Sequence, residues 1–223
     1  MVILASGLAS MGGCHITFGG GGSYGNLNLA VPYYAQGDTL LCGPTTVRMW
    51  RRYDGLSDMT SESLGNGMGC AWQTVGCSQE QIRSGAQIYT NTGYDAYVDD
   101  YGGVGDPDVL LAQFFSRQIT SLDNGVPVIA LINGSTHAVV PHAGNYTTAS
   151  DGLKRWDYVY VQDPLAGSAD YYYVAGSWMQ SVVQQIISSG ASNGWSGNFD
   201  TYGETHVRGY ADWPPGGDWP PAY

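Results

Sequence analysis

The sequence predicts an α+β domain, helical in its first half and built on antiparallel strands in its second. Two observations carry this. Apolar residues recur at three- and four-residue spacing over residues 42–53, 78–89 and 106–122, the period of a buried helical face. Three strand-like runs then follow in succession, VPVIALI (126–132), HAVVPHA (137–143) and WDYVYVQD (156–163). Helices grouped ahead of strands, without regular alternation, are the α+β order.

Length and composition narrow the class of protein. The 223 residues suffice for one sizeable domain with appendages, and 43% hydrophobic against 12% charged residues marks a globular chain. A net charge of −11, with Lys154 the single lysine, argues against nucleic-acid binding, which needs clustered cations. No apolar run approaches the roughly 20 residues that cross a bilayer, so no transmembrane segment is expected. Residues 1–14, MVILASGLASMGGC, resemble a lipoprotein export signal, with Met11-Gly12-Gly13-Cys14 as a loose lipobox. They depart from it in having no Lys or Arg ahead of the apolar stretch. A secreted or cell-surface protein is the expectation, with a lipid anchor at Cys14 and an ordinary N-terminus as the open alternatives.

Taken in order, residues 1–28 combine this segment with a lead-in containing four consecutive glycines, Gly19 to Gly22, which reads as flexible. The domain is expected over 29–190. Its first helix begins at Cys42-Gly43-Pro44, with Pro44 in the first turn, where a missing N–H costs nothing. Val47 with Trp50, and Met49 with Tyr53, form its inner face. Residues 54–77 read as loop with one short helix. Within them Cys70 and Cys77 lack a nearby histidine to complete a metal site and suggest a local disulfide, hence an oxidising compartment. Ser78 and Gln81 make a capping box ahead of the stripe Ile82, Ala86, Tyr89. Residues 91–105 read as loop with one short strand.

Asp106 caps the clearest helix, with Pro107 at its first position, Leu111, Phe115 and Leu122 on one face, and Leu110 and Phe114 beside them. Asn124-Gly125 ends it. A last helix is predicted over 177–189, capped by Ser177 with Trp178, Val182, Ile186 and Ile187 inward. Residues 191–223 end in the echo ADWPPGGDWPPAY and read as an extended, polyproline-rich tail outside the core.

The chemistry centres on Cys42. A thiol at a helix N-terminus faces unpaired N–H groups and the positive end of the macrodipole, both of which favour the thiolate. A buried structural cysteine is the alternative, so a base is required to decide. Of four histidines, His15 and His206 fall in stretches read as flexible, whereas His137 opens one strand and Asp163 closes the next. If these strands form a hairpin, a register in which positions sum to 300 opposes 137 and 163 and centres the turn beside Asp151-Gly152. Opposed residues have Cβ atoms about 4.5–5.5 Å apart, so the carboxylate could orient the imidazole. His142 is the rival base. It faces the other way in an uninterrupted strand, and Pro141 favours a break or bulge there.

These segments carry a resemblance. VPYYAQGDTLLCGPTTVRMW resembles the nucleophile segment of papain-fold cysteine peptidases, most closely the group related to the bacteriocin double-glycine leader peptidases. NGVPVIALI resembles that group's Gly-x-Pro-Val-Ile strand, THAVVPHAGNY its histidine strand, and VYVQDPLAG its Asp-Pro. The likeness spans roughly 29–190. It implies a papain-like fold, the nucleophile helix packed on the C-terminal antiparallel sheet. It also implies Cys42 as nucleophile, His137 as general acid/base, Asp163 as its orienting partner, and Gln36 with the Cys42 N–H as oxyanion hole. Ala138 departs from the bulky aromatic that usually follows the histidine, which implies an imidazole less shielded from water.

The function expected is hydrolysis of peptide bonds in a peptide or protein substrate, without cofactor or metal. The same residues would also serve an amidase or acyltransferase on isopeptide, cell-wall or thioester bonds. A papain-fold binding module is the non-enzymatic alternative, and an intact Cys, His, Asp and Gln set disfavours it. Nothing in the sequence sets the oligomeric state.

Overall fold

The computed structural model describes residues 16–18, 22–90, 96–100, 107–166 and 171–188. The readings for Cys14, His15, the cap at Asp106, His206 and the tail 191–223 lie outside these residues. The elements are β1 (Ile16–Phe18), β2 (Gly22–Asn28), α1 (Cys42–Tyr53), α2 (Ser61–Gly67), α3 (Gln79–Tyr89), β3 (Ala96–Asp100) and α4 (Pro107–Asp123). β4 (Ile129–Ile132), β5 (His137–Thr148), β6 (Lys154–Gln162), β7 (Tyr171–Val174), α5 (Ala175–Ser181) and β8 (Val182–Ser188) follow.

The first three helices form because each buries a short apolar stripe and is started by its own sequence. α1 turns Val47, Met49 and Trp50 fully inward and packs on α2, α3 and β5. α3 carries the predicted capping box, with Ser78 and Gln81 satisfying each other's backbone N–H groups. α4 ends at Gly125 (φ 75°), whose left-handed backbone lets Gly125 N–H reach Leu122 O and Val126 N–H reach Ser121 O. The predicted Cys70–Cys77 disulfide closes the loop between α2 and α3.

The strands form an eight-stranded antiparallel sheet in the order β1-β2-β5-β4-β8-β3, with β6 on β5 and β7 on β6. β5 is the spine, pairing with β4 at its start and with β2 and β6 further on. The helical cluster and the sheet together are the α+β architecture expected.

Three local expectations are corrected. The lead-in is strand from Gly22, because Ser23–Asn28 pairs with β5. Its inward positions are Gly25 and Leu27, both buried, and a Cβ at Gly25 would enter the Tyr146 ring. The helix predicted over 177–189 stops at Ser181, and Val182 turns extended (φ −84°, ψ 124°) to start β8. β8 lies between β4 and β3 and is buried at Val182 and from Gln184 to Ser188, which a one-sided helix cannot match. The β5–β6 register sums to 302 from Thr148↔Lys154 onward, not 300, because the turn is centred one residue later than expected. Bulges at Asp157 and His142, on opposite strands, raise the sum to 303 between them and return it to 302 at Val140↔Gln162.

A buried amide network ties the sheet to α4. Gln118 Oε1 accepts from Trp156 Nε1 (2.8 Å) and Trp178 Nε1 (2.9 Å), while its Nε2 donates to Gln185 Oε1 (2.9 Å). Gln185 Nε2 donates in turn to Phe114 O (3.0 Å). Both glutamines are wholly buried, so the network holds α4, α5, β6 and β8 in one arrangement.

Candidate active site

Cys42 is the first residue of α1, directly after the cap residue Leu41, and no acidic side chain occupies the first turn. Its N–H is therefore one of the helix donors without an intrahelical partner, and the positive helix end is not neutralised. Pro44 fills the first turn as its missing donor allows. The loop ahead of the helix is held by its neighbours. The Arg48 guanidinium lies 3.9 Å from the Tyr34 ring centroid while Arg48 pairs with Asp58. Gln36 N–H donates to Pro164 O (2.9 Å), fastening the nucleophile loop to the turn that carries Asp163.

His137 is the first residue of β5, delivered by a tight turn in which Asn133, Gly134 and Ser135 all have positive φ. Its Nε2 meets Asp163 Oδ1 at 2.6 Å. The shifted register means that these residues are not cross-strand partners. Asp163 follows β6 at its end and reaches back diagonally. An Asx turn fixes its carboxylate, with Leu165 N–H donating to Oδ1 (2.8 Å) and Ala166 N–H to the Asp163 carbonyl (3.1 Å). Cys42 lies close enough to His137 for the two side chains to stabilise each other's charged forms. The structure thus joins Cys42, His137 and Asp163 in one chain of contacts. The imidazole is well covered despite Ala138, its side chain 12% exposed against 13% for Asp163.

The electrostatics follow from this geometry. Burial works against a Cys42 thiolate. The His137 imidazole and the backbone N–H groups of Ala138 and Gly43 outweigh it and hold the thiol below its ordinary value. Burial likewise opposes charge on His137, but Asp163 on one side and Cys42 on the other raise it to about 9. Asp163 is pulled below the usual carboxylate range, burial being overcome by His137 and the N–H groups of Leu165 and Ala166. All three directions favour a thiolate–imidazolium pair backed by a carboxylate.

Gln36 stands on the loop six residues before Cys42. Its Nε2 donates to Thr39 O (2.6 Å), which takes one of two amide protons, and Oε1 is buried with no partner among the described residues. His142 takes no part in the site. It is buried in the β5 bulge, with Nδ1 3.2 Å from Leu29 O. Among the described residues no cluster of His, Cys, Asp and Glu could hold a metal, and no helix is long and apolar enough to cross a membrane. The Ala138 N–H and the Leu165 and Ala166 N–H groups escaped sequence reasoning, although Asp163-Pro164 is itself an Asx-turn signal.

The sequence profile described as the Peptidase_C39 like family matches residues 28–186, well over half of the chain. The chain belongs to this family. Among solved structures, this C39-like chain resembles a C39-like peptidase from Bacillus anthracis at 16% identity and TM-score 0.50, covering 73% of this chain and 96% of that one. It also resembles a double-glycine-motif protease from an AMS/PCAT transporter, solved with its leader peptide (19% identity, TM-score 0.49, 72% and 91% covered). The peptidase domain of Streptococcus ComA, a bifunctional ABC transporter of a quorum-sensing pathway, is a third (13%, TM-score 0.47, 70% and 96%). No curated protein sequence matches. The family and the B. anthracis likeness make the fold that of papain-like cysteine peptidases.

Proposed function

We propose that this C39-like protein is a cysteine peptidase that hydrolyses peptide bonds through an acyl-enzyme on Cys42. The observation that carries the reading is the unbroken contact chain Cys42–His137–Asp163 at the N-terminus of α1. The thiolate attacks the scissile carbonyl carbon, and the displaced electron pair moves onto oxygen. The Cys42 N–H and the second Gln36 Nε2 proton receive that oxyanion. Collapse of the intermediate breaks the C–N bond, and the leaving amine takes the proton held by His137. His137, now neutral, removes a proton from water as the water attacks the thioester. Breaking the C–S bond then returns the thiolate–imidazolium pair. Asp163 keeps the imidazole in one orientation throughout and stabilises its charge.

The substrate is an extended peptide or protein segment, in keeping with the family and with the leader peptide bound to the transporter protease. The Cys70–Cys77 bridge supports a secreted or cell-surface location, with Cys14 as the site of lipid attachment. Digestion of a peptide library, read by mass spectrometry, tests the activity, with Cys42→Ala as the control. Cleavage by the native chain and none by the variant is expected. Labelling of Cys42 by an alkylating probe without any cleavage would instead favour an amidase or acyltransferase.

A further inference from the structure

We propose that the outer face of β2, β5, β6 and β7 is a second binding site, for a neutral oligosaccharide. Two rows of side chains cross these strands in register. One runs Asn26, Asn145, Tyr158, Val174, and the other Asn28, Ala143, Tyr160, Tyr172. Tyr158, Tyr160 and Tyr172 are in mutual contact, with ring centroids 5.2–5.8 Å apart. None of their hydroxyls has a hydrogen-bond partner among the described residues. A groove of about 290 Å³ opens beside them, lined in part by Asn26, Asn28, His142, Asn145, Tyr158 and Tyr160. Cys42, His137, Asp163 and Gln36 do not line it.

The chemistry of the face selects the ligand. A pyranose ring has apolar C–H faces and a rim of hydroxyls. Tyrosine rings present apolar area with a polar tip, and amides supply a donor and an acceptor at fixed spacing. Asn26 Nδ2 donates to Asn145 Oδ1 (2.9 Å), which leaves Asn26 Oδ1 and Asn145 Nδ2 for a ligand. Because no Lys, Arg, Asp or Glu lines the groove, a charged ligand finds no counter-charge there. That neutrality contrasts with the chain's overall charge of −11.

Other occupants fit less well. At the centre of this face β5 is paired on both edges, by β2 and β6, and β6 by β5 and β7. An added peptide strand could therefore pair only at the margins, along β7 or the end of β2, and not across the tyrosines. The chain's own tail carries Asp200, Glu204, Asp212 and Asp218 against Arg208, and that excess acid gains no partner in a neutral groove.

Calorimetric titration of the full-length chain with cellohexaose, chitohexaose and mannohexaose tests the proposal. At least one is expected to bind. Tyr172→Ala, at a half-exposed position, and Tyr160→Ala are each expected to weaken it tenfold or more while alkylation of Cys42 is unchanged. The proposal fails if none of the three sugars binds, or if both variants bind as the native chain does. It also fails if sugar binding emerges only after Trp213→Ala and Trp219→Ala are introduced together, because the tail would then be the natural occupant.

Discussion

Replacing Asp163 by Asn keeps the shape of the side chain and removes its charge, isolating the carboxylate's contribution to the thiolate–imidazolium pair. In the native protein the imidazolium is supported by a 2.6 Å contact to a carboxylate that is 13% exposed. A hydrogen bond to a charged group at such a site contributes about 1.5–3 kcal/mol. At 1.36 kcal/mol per pH unit, its loss lowers the His137 titration from about 9 by roughly one to two units. The balance between neutral and ionic Cys42–His137 forms then shifts toward the neutral pair by about 10- to 100-fold. The sign is fixed by the direction of the shift. His137 is raised, so the ion pair persists up to pH about 9 in the native protein and is lost above it. Two assays read this out, NMR titration of the His137 ring and the pH dependence of iodoacetamide alkylation mapped to Cys42 by mass spectrometry. In Asp163→Asn the upper limit of the ionic window falls and the neutral-pH alkylation rate drops. An unchanged imidazole titration together with unchanged alkylation at pH 7 would refute the reasoning, because the carboxylate would then contribute nothing to the pair.

Four further variants have expected outcomes. His137→Ala lowers turnover by about 10²- to 10⁴-fold. His142→Ala leaves turnover within a few-fold and costs about 1–3 kcal/mol in urea denaturation, since it loses the buried contact to Leu29 O; the opposite order would make His142 the base. Gln118→Ala strands two buried indole N–H groups and the Gln185 acceptor, and lowers stability by about 3 kcal/mol or more in the same experiment. Gly144→Ala places a methyl against the Tyr158 carbonyl at φ 151°, and a melting curve should show a loss of about 2–4 kcal/mol.

Much of the site was legible because its parts are local. Pro44 after Cys42, the Ser78–Gln81 box and the Asn124-Gly125 stop each act within a few residues, and the structure forms the elements they announce. The errors arise where distant parts of the chain decide. Trp178, Val182 and Ile186 are four apart and mimic a helix, yet β4 and β3 on either side make Val182 onward a central strand. Gly22 and Gly25 argue against a strand, but Gly25 lies in β2 because the Tyr146 ring fills the space its side chain would occupy. A register count from 137 to 163 assumes a turn centred on 150, whereas the pairing Thr148↔Lys154 centres it on 151. Even so, the reach of Asp163 past the end of β6 restores the contact that the slipped register would have broken. Gln118, on α4, gives no sequence sign of a buried junction, because its partners come from β6, α5 and β8.

The central claim is that Cys42 forms an acyl-enzyme, and the most direct test is to trap it. Acid quench of the full-length chain during turnover of an activated peptide ester, followed by peptide mapping, should find the acyl mass on the peptide containing Cys42. The adduct should be absent from Cys42→Ala and should outlast the native lifetime in His137→Ala when that variant is acylated chemically. An acyl group found on another residue, or turnover that survives in Cys42→Ala, would contradict the account.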